Sequence, residues 1–362
     1  MGNIINYYAS GNTAKGFYSL IESNLVNLNK LFILKGGPGT GKSTLMKKIA
    51  ERWINEGHDI EYLHCPSDND SIDGVINSTI KVGLVADGDP NVVEPIALGA
   101  SIEYIKLGTE LDLNKIESNV VDIVNINFKV RDCHKKAYAN FENALKLHDE
   151  WEKVYIDNMN FERADSFTDE IIDLLLKDFV SDKKASVKDR FLGAATPEGP
   201  KDFIENLTSN ISKRYFLKGR PGTGKSTILK KIAKAASDRG ADVEVYHCGF
   251  DPDSLDMIIL RELDVCIFDS TSPHEYFPTK DNDEIIDVYK ELVVQGTDEK
   301  YKKKLDKIIL RYKGYMTEAN NFLKEAKELN DRFEAIYSDA MDFSKIDEIR
   351  NDLIMKISNL EE

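Results

Sequence analysis

The sequence predicts an α/β fold with a mostly parallel sheet between helices, and it predicts this fold twice. Short segments rich in β-branched and aromatic residues alternate with helical segments, an order typical of parallel sheets. The same order then recurs, because a shift of 183 positions places residues 30–73 over 213–256 with 24 of 44 positions identical. We therefore interpret the 362-residue chain as an internal duplication of one α/β module.

The repeat sets the expected module boundaries. A second match, shifted by 182 positions, pairs WEKVYIDNMNF at residues 151–161 with FEAIYSDAMDF at residues 333–343. We expect a first module at residues 1–183 and a second at residues 184–362. Each module should contain a sheet core, at residues 1–108 and 184–296, followed by a long helical hairpin, at residues 109–183 and 297–362.

The elements of each core are expected in one order. An N-terminal strand leads through a helical stretch to a second strand, LFILKG or YFLKG, which enters a glycine-rich loop. The loop opens a helix that ends at Gly57 or Gly240, since glycine is suited to terminate helices. A third strand (IEYLHC or VEVYHC), another helix and a fourth strand (KVGLVAD or LDVCIFD) complete the core. With four strands visible in each module, we expect the two halves to support each other.

Apolar residues at helical spacing predict the two hairpins. Residues 125–158 and 303–339 contain no proline and place apolar side chains three or four positions apart. Shorter helices are expected at residues 168–176 and 346–357. We interpret the apolar stripes as surfaces for packing between helices, and a groove for a cofactor or a partner is the alternative.

Two glycine-rich loops carry the most specific chemistry. They read GGPGTGKST and GRPGTGKST, each between a predicted strand and a predicted helix. Glycines leave backbone N–H groups free to surround a phosphate, and the following helix adds its positive end. We therefore predict phosphate contacts along both loops, at Gly36, Gly37, Pro38, Gly39, Thr40, Gly41, Lys42, Ser43, Thr44, Gly219, Arg220, Pro221, Gly222, Thr223, Gly224, Lys225, Ser226 and Thr227.

The loop chemistry assigns roles to four of these residues. Lys42 and Lys225 are expected to reach the β- and γ-phosphates of a nucleotide, while Ser43 and Ser226 offer a hydroxyl to Mg²⁺. On these motifs the sequence resembles the P-loop NTPase superfamily, and more closely a family of bacterial tandem-P-loop ATPases over nearly its full length. The resemblance implies a three-layer P-loop NTPase fold with ATP and Mg²⁺ as cofactors.

An aspartate ends the fourth predicted strand of each module. Asp87 and Asp269 stand where a P-loop protein places a magnesium ligand, and an aspartate that only forms a turn is the alternative. Beyond this point the copies diverge, and aligning the prolines puts Asn91 over His274. His274 is a candidate to sense or polarise the γ-phosphate or its water, and an inert loop histidine is the alternative.

A second motif is shared by both modules and reads HCPSDNDSID or HCGFDPDSLD. It follows a predicted strand at the sheet edge where ligands collect in parallel sheets. In one interpretation His64 or His247, with a neighbouring aspartate, holds an attacking water or the hydroxyl of a phosphoryl acceptor. In the other, Ser71 and Ser254 cap a following helix. The sequence leaves both interpretations open.

Composition limits the expected partners and location. The formal net charge of −15 opposes long-range attraction to nucleic acid or to an anionic membrane. No apolar run is long enough to span a bilayer, and four scattered cysteines fit a reducing compartment. We expect a cytoplasmic protein that binds a nucleotide, with a protein partner for its helical hairpins, no membrane association and nucleic acid disfavoured.

Three functions remain open from the sequence. The leading hypothesis is a Mg²⁺-dependent ATPase with two sites, whose nucleotide state reorients the helical hairpins. A nucleotide or small-molecule kinase is the main alternative, and a nucleotide-gated scaffold without turnover is the third. No LSGGQ-like or NKxD segment is present, which disfavours an ABC-type ATPase and a guanine-specific GTPase. We expect the two nucleotide sites to differ in activity, because Gly37 aligns with Arg220 and Asn91 aligns with His274.

Overall fold

The first half of the chain alternates strands and helices, as the sequence predicts. The computed structural model describes residues 2–88, 101–109, 111–272 and 274–361. The elements of the first half are β1 (Ile4–Tyr8), β2 (Ser10–Thr13), β3 (Gly16–Ser19), α1 (Ile21–Asn24), β4 (Lys30–Lys35), α2 (Lys42–Asn55), β5 (Ile60–His64), β6 (Ile72–Asn77), β7 (Val82–Asp87), β8 (Ile102–Lys106), α3 (Leu113–Ser118), α4 (Val120–Ile156) and α5 (Phe161–Leu176).

The second half repeats this series of elements. They are β9 (Val187–Phe191), β10 (Gly193–Thr196), β11 (Gly199–Asp202), α6 (Ile204–Leu207), β12 (Lys213–Lys218), α7 (Lys225–Asp238), β13 (Val243–His247), β14 (Leu255–Leu260), β15 (Val265–Asp269), β16 (Glu284–Asp287), α8 (Val288–Leu292), α9 (Thr297–Asp339) and α10 (Phe343–Glu361).

Within the described residues, the two halves share one twelve-stranded sheet. Its order is β16-β12-β15-β14-β13-β9-β1-β5-β6-β7-β4-β8, so each half contributes six equivalent strands outward from the centre. Within each half five strands run parallel, and β6 or β14 runs antiparallel to its two neighbours. The halves join where β1 and β9 meet antiparallel at Tyr8 and Phe191. The expected α/β fold with a mostly parallel sheet is confirmed.

Helices cover both faces of the sheet, because apolar side chains of its strands point alternately to one face and to the other. On β4, Phe32 and Leu34 pack with α2, whereas Leu31 and Ile33 belong to the cluster of the opposite face, which contains residues of α1 and α6. Successive strand residues point to opposite faces, so a continuous apolar run is suited to a strand buried on both sides. The core therefore consists of a sheet between two helical layers.

The segment after the third predicted strand differs from the sequence prediction. We expected a helix there in each module, but the residues form β6 and β14, and nearly all of their side chains are buried. Each of these segments is six residues long, and the apolar pattern of so short a segment does not distinguish a helix from a buried strand. Ser71 and Ser254 therefore cap no helix, and each instead closes a turn by donating its hydroxyl to Asp68 or Asp251.

The long helices form where apolar spacing predicts them, but their partners differ from a simple hairpin. α4 and α9 lie antiparallel against each other along their length. From one end of this pair to the other, the clusters that join them contain Ile123 and Phe333, Phe141 and Leu323, and Tyr155 and Leu305. In the described part of the chain, no helix is both long and apolar enough to cross a membrane.

The shorter helices α5 and α10 each pack on the sheet of the other half. α5 buries Phe167 and Ile171 against α7, and α10 buries Leu353 and Ile357 against α2. The 37 residues of α4 span about 55 Å, which is enough to carry the chain from one half to the other. Each half is therefore covered by a helix that follows the other half in sequence.

A buried charged cluster lies where the two halves meet. Arg190 on β9 is 1% exposed, donates to Glu61 at 2.6 Å and lies 3.5 Å from Glu244. Tyr7 donates to Glu61 at 2.8 Å, and the guanidinium lies 4.1 Å from the centre of the Tyr7 ring. Burial alone would raise the pKa of Glu61, but the charge of Arg190 lowers that pKa to about 2. The cluster thus links β1, β5, β9 and β13.

Candidate functional site

The first glycine loop lies between β4 and α2 and turns its lysine inward. Lys42 Nζ donates to the carbonyl oxygens of Gly36 at 2.7 Å and Gly37 at 2.8 Å. Gly39 and Gly41 have φ values of 69° and 85°, a region that glycine adopts without strain. Burial lowers the pKa of Lys42. The loop backbone therefore curves around the Lys42 side-chain amine and forms a backbone ring with this amine at its centre.

The second glycine loop, between β12 and α7, has the same shape. Lys225 Nζ donates to the carbonyl oxygen of Arg220 at 2.9 Å and lies 3.4 Å from a carboxylate oxygen of Asp269. Gly222 and Gly224 have φ values of 76° and 87°. Both loops therefore hold a lysine beside the N-terminal end of a helix, which favours an anionic ligand.

The serine of each loop fixes the start of the neighbouring antiparallel strand. Ser43 Oγ accepts a hydrogen bond from the backbone N–H of Ile72 at 3.1 Å. At the second loop Ser226 Oγ accepts from the backbone N–H of Leu255 at 3.0 Å. These bonds draw β6 and β14 towards the loops, so the next residue of each strand, an aspartate, lies close to the loop lysine.

Of those two aspartates, Asp256 is buried and Asp73 is partly buried, and both have perturbed pKa values. Burial raises the pKa of each to about 6, and for Asp256 the charge of Asp269 acts in the same direction. The sequence interpretation assigned metal binding only to Asp87 and Asp269 among the aspartates. The sequence did contain a pattern that could have identified Asp73 and Asp256, because the second shared motif ends with this aspartate in both copies.

The predicted magnesium ligands end the strands beside the glycine loops. Asp87 ends β7, which pairs with β4, and its carboxylate lies 3.0 Å from Lys35 Nζ. Asp269 ends β15, which pairs with β12, and accepts a hydrogen bond from Thr271 Oγ1 at 2.6 Å. The structure thus brings each aspartate to the sheet edge where its loop begins.

The donor set at each loop fits Mg²⁺. Hydroxyl and carboxylate oxygens are the ligands that Mg²⁺ prefers in proteins. At the second loop, after burial, the charge of Asp269 is the strongest influence that raises the pKa of Asp256, and a divalent cation would relieve that repulsion. The two donor sets are Ser43, Asp73 and Asp87, and Ser226, Asp256 and Asp269.

His64 and His247 are engaged at the ends of their strands. His64 Nε2 lies 2.9 Å from Asn6 Oδ1, and burial lowers the pKa of His64 to about 4. His247 Nε2 lies 2.9 Å from Asp189 Oδ1, and its Nδ1 lies 2.7 Å from the carbonyl oxygen of Pro252. These contacts tie β5 to β1 and β13 to β9. The structure therefore holds both imidazoles at the sheet and does not bring them to the loop lysines.

His274 lies beside the carboxylates of the second loop. Its Nδ1 is 2.8 Å from Asp202 Oδ2 on β11. Burial alone would lower the pKa of His274, but Asp202, Asp256 and Asp269 together raise it. The structure therefore brings His274 together with the second donor set. Its sequence counterpart, Asn91, lies outside the described residues.

The side chain of Arg220 contacts the N-terminal end of α9. Its guanidinium donates to Asp298 at 3.0 Å and lies 5.3 Å from the centre of the Tyr289 ring. Tyr155 of α4 donates to the same carboxylate at 2.8 Å. The backbone carbonyl of Arg220 accepts the hydrogen bond from Lys225. The guanidinium anchors the loop to α9 through Asp298, and the bond from Tyr155 to Asp298 extends this contact to α4.

A cavity of about 1400 Å³ opens over the first loop. One part of its wall consists of the loop, of Asp73 and Asp87 from the sheet, and of Asp68 from the turn before β6. The long helices α4 and α9 provide another part, which includes Tyr138 and Glu334. The first site is therefore built from both halves of the chain.

In each glycine loop, one glycine lies close to the backbone of a long helix. Ser338 Oγ on α9 donates to the carbonyl oxygen of Gly39 at 3.1 Å, and a Cβ on Gly39 would lie 2.5 Å from the carbonyl oxygen of Glu334. A Cβ on Gly222 would lie 2.5 Å from the carbonyl oxygen of Glu152 on α4. The sequence interpretation missed both glutamates, although the second repeat match aligns them.

Gly39→Ala is expected to destabilise the protein more than Gly57→Ala, by about 1–3 kcal/mol. Both glycines have positive φ values, 69° and 88°, so the two variants share the strain of a left-handed backbone. A Cβ on Gly57 would meet nothing within 4 Å, whereas one on Gly39 would meet α9. Urea unfolding measures the difference, and equal midpoints would argue against the close contact of α9 with the loop.

The α/β sheet and the two glycine loops define the chain as a P-loop NTPase. The model of the KAP family P-loop domain matches residues 11–214, more than half of the chain, and the protein belongs to this family. The matched region includes the first glycine loop and ends before the second. Comparisons with curated proteins and with solved structures found no match. Family membership supports the binding of a nucleotide.

Proposed function

We propose that the protein is an ATP-binding, Mg²⁺-dependent ATPase with two P-loop sites in one chain. The observation that carries the proposal is the pair of inward-facing lysines, since Lys42 and Lys225 each donate to carbonyl groups of their own loop. A backbone ring with a cation inside it is complementary in charge and shape to a bound triphosphate. The same arrangement at both loops supports two working sites.

The side chains around each loop have separate roles in this proposal. Loop N–H groups and the lysine hold the β- and γ-phosphates and stabilise the charge that develops as the terminal phosphate leaves. Mg²⁺ would be held by Ser43 and Asp87, or by Ser226 and Asp269, with Asp73 or Asp256 beside it, and it supplies Lewis-acid stabilisation of phosphate charge. At the second donor set Asp202 holds the imidazole of His274 beside the carboxylates.

We propose that the two sites arose by duplication of one module, with the halves at residues 1–183 and 184–362. The equivalent strand order on the two sides of the sheet centre supports this origin. In this interpretation the modules exchange their helices, because α5 packs on α7 and α10 packs on α2. Such an exchange makes the two sites dependent on each other.

We further propose that the nucleotide state reorients the α4–α9 pair towards a protein partner. The close approach of Gly39 and Gly222 to these helices supports the coupling, since a phosphate that moves the loop also moves the helix. Trypsin cleavage within residues 125–158 is expected to change when a non-hydrolysable ATP analogue and Mg²⁺ are added. Unchanged cleavage, with nucleotide binding confirmed in the same sample, would count against coupling.

A kinase is the second candidate, and the size of the first cavity is the observation that favours it. At about 1400 Å³ the cavity exceeds the roughly 300–1000 Å³ that small-molecule sites usually occupy, so it has room for an acceptor beside the nucleotide. A nucleotide-gated scaffold without turnover is the third.

ADP release from ATP and Mg²⁺ without any added acceptor tests the proposed function. Steady release that stops when EDTA removes the metal supports the ATPase. Release that requires a nucleoside or another small acceptor would instead favour the kinase. Binding of ATP with no release under either condition would favour the scaffold.

A further inference from the structure

One glutamate from each long helix faces a glycine loop. Glu334 on α9 lies in the wall of the cavity over the first loop, where its charge acts on Lys42. Glu152 on α4 accepts a backbone hydrogen bond from Gly222 in the second loop, and the charge of Lys225 acts on it. The two glutamates occupy equivalent positions in the repeat, so the arrangement occurs once at each site.

Both carboxylates are partly withdrawn from solvent and are held by a neighbour on their own helix. Glu334 Oε1 accepts a hydrogen bond from Asn330 at 3.0 Å, and Glu152 Oε1 lies 3.7 Å from His148 Nδ1. Burial, followed by the charge of a nearby aspartate, raises the pKa of each glutamate. A carboxylate with a raised pKa is a stronger proton acceptor than one in free solvent.

The glutamates differ in origin from the aspartates of the same sites. Asp73 and Asp87 come from strands of the sheet, in the half of the chain that carries the first loop. Glu334 comes from a helix more than 200 residues farther along the chain, and it reaches the same cavity. Each site therefore has sheet carboxylates suited to a metal and a separate helix carboxylate that is not part of that donor set.

We propose that Glu334 and Glu152 are the general bases for hydrolysis at the first and second loops, each supplied by the opposite half of the chain. This inference rests on the proposed ATPase function. The carboxylate accepts a proton from water as the water oxygen forms a bond to the γ-phosphorus. The bond from that phosphorus to the β,γ-bridging oxygen breaks, and ADP leaves with the electron pair. The carboxyl group then returns its proton to phosphate or solvent.

This assignment makes the α4–α9 pair part of the reaction. Hydrolysis at either loop needs the long helix of the other half to be in contact with that loop. A chain in which the helices move away from the loops would keep its phosphate-binding ring, because the ring is formed by local residues. Such a chain would bind ATP without hydrolysing it.

The double variant Glu152→Gln, Glu334→Gln tests the proposal in the full-length protein. We expect kcat to fall by about 100-fold, because general base catalysis contributes about 10²–10⁴-fold. The dissociation constant for ATP with Mg²⁺ is expected to stay within about twofold, since glutamine keeps the size and hydrogen bonding of the side chain. Glu150→Gln with Glu328→Gln is the matched control, because both are exposed glutamates on the same two helices.

A second measurement separates a base from a side chain that only positions the loop. Glu152→Ala with Glu334→Ala should regain part of its turnover when formate is added, because formate supplies the missing carboxylate. Turnover of the glutamine variant within about threefold of the wild type would overturn the assignment. Loss of ATP binding in that variant, or absence of formate rescue, would also overturn it. If the wild type itself releases no ADP, the ATPase proposal fails, and the base assignment fails with it.

Discussion

Replacing both loop lysines, Lys42→Ala with Lys225→Ala, is expected to lower ATP turnover by at least about 100-fold. Each ammonium group lies inside a backbone ring, where little water competes for its charge, and it would contact the phosphates whose charge grows during the reaction. Steady-state ADP release at saturating ATP and Mg²⁺ measures the effect. Lys313→Ala serves as the control, because Lys313 is an exposed lysine on α9.

The two single lysine variants are expected to differ. Lys225→Ala should lower turnover more than Lys42→Ala, because His274 and Asp202 adjoin the carboxylates of the second loop. Equal losses would contradict this expected asymmetry while leaving the two-site proposal intact. Substantial turnover by the double lysine variant would contradict the assignment of both loops.

Arg190→Met is expected to cost about 3–5 kcal/mol of unfolding free energy, the largest stability effect that the structure predicts. The substitution removes the cation that lies between Glu61 and Glu244. Buried Glu61 then loses its main ion-pair partner, whereas Glu244 keeps its hydrogen bonds to Arg261. Because these residues lie where β1 and β9 join the halves, the loss also weakens the centre of the sheet. Urea unfolding followed by circular dichroism measures the change.

The control for this variant is Arg332→Met, which changes an exposed arginine on α9. It is expected to stay within about 0.5 kcal/mol of the wild type. Adding Glu61→Gln to Arg190→Met should recover part of the lost stability, because one uncompensated buried charge is then removed. A loss below about 1 kcal/mol for Arg190→Met would show that the cluster contributes little to the junction.

Local sequence patterns were sufficient for the parts of the fold that depend on neighbouring residues. The glycine loops, their lysines and the strand-ending aspartates Asp87 and Asp269 each lie within a short motif whose geometry follows from its own residues. The apolar spacing of α4 and α9 likewise predicted long helices, although it identified only the buried faces. Which helix covers which face depends on the whole chain, so the exchange of α5 and α10 was not predictable.

The central joint of the sheet and the helix contributions to the sites involve residues far apart in sequence. β1 and β9 pair across more than 180 positions, and no local pattern marks that contact. Glu152 and Glu334 resemble any other glutamate on a helix until the fold brings them to a loop. His64 illustrates the opposite case, since its motif suggested chemistry, whereas its contact with Asn6 ties two strands together.

The number of nucleotides bound by one chain tests the central claim most directly. Isothermal titration of the full-length protein with a non-hydrolysable ATP analogue and Mg²⁺ is expected to give two per chain. Lys42→Ala and Lys225→Ala should each give one, and the double variant none. A wild-type value of one per chain, or values that the lysine substitutions leave unchanged, would contradict an ATPase with two P-loop sites.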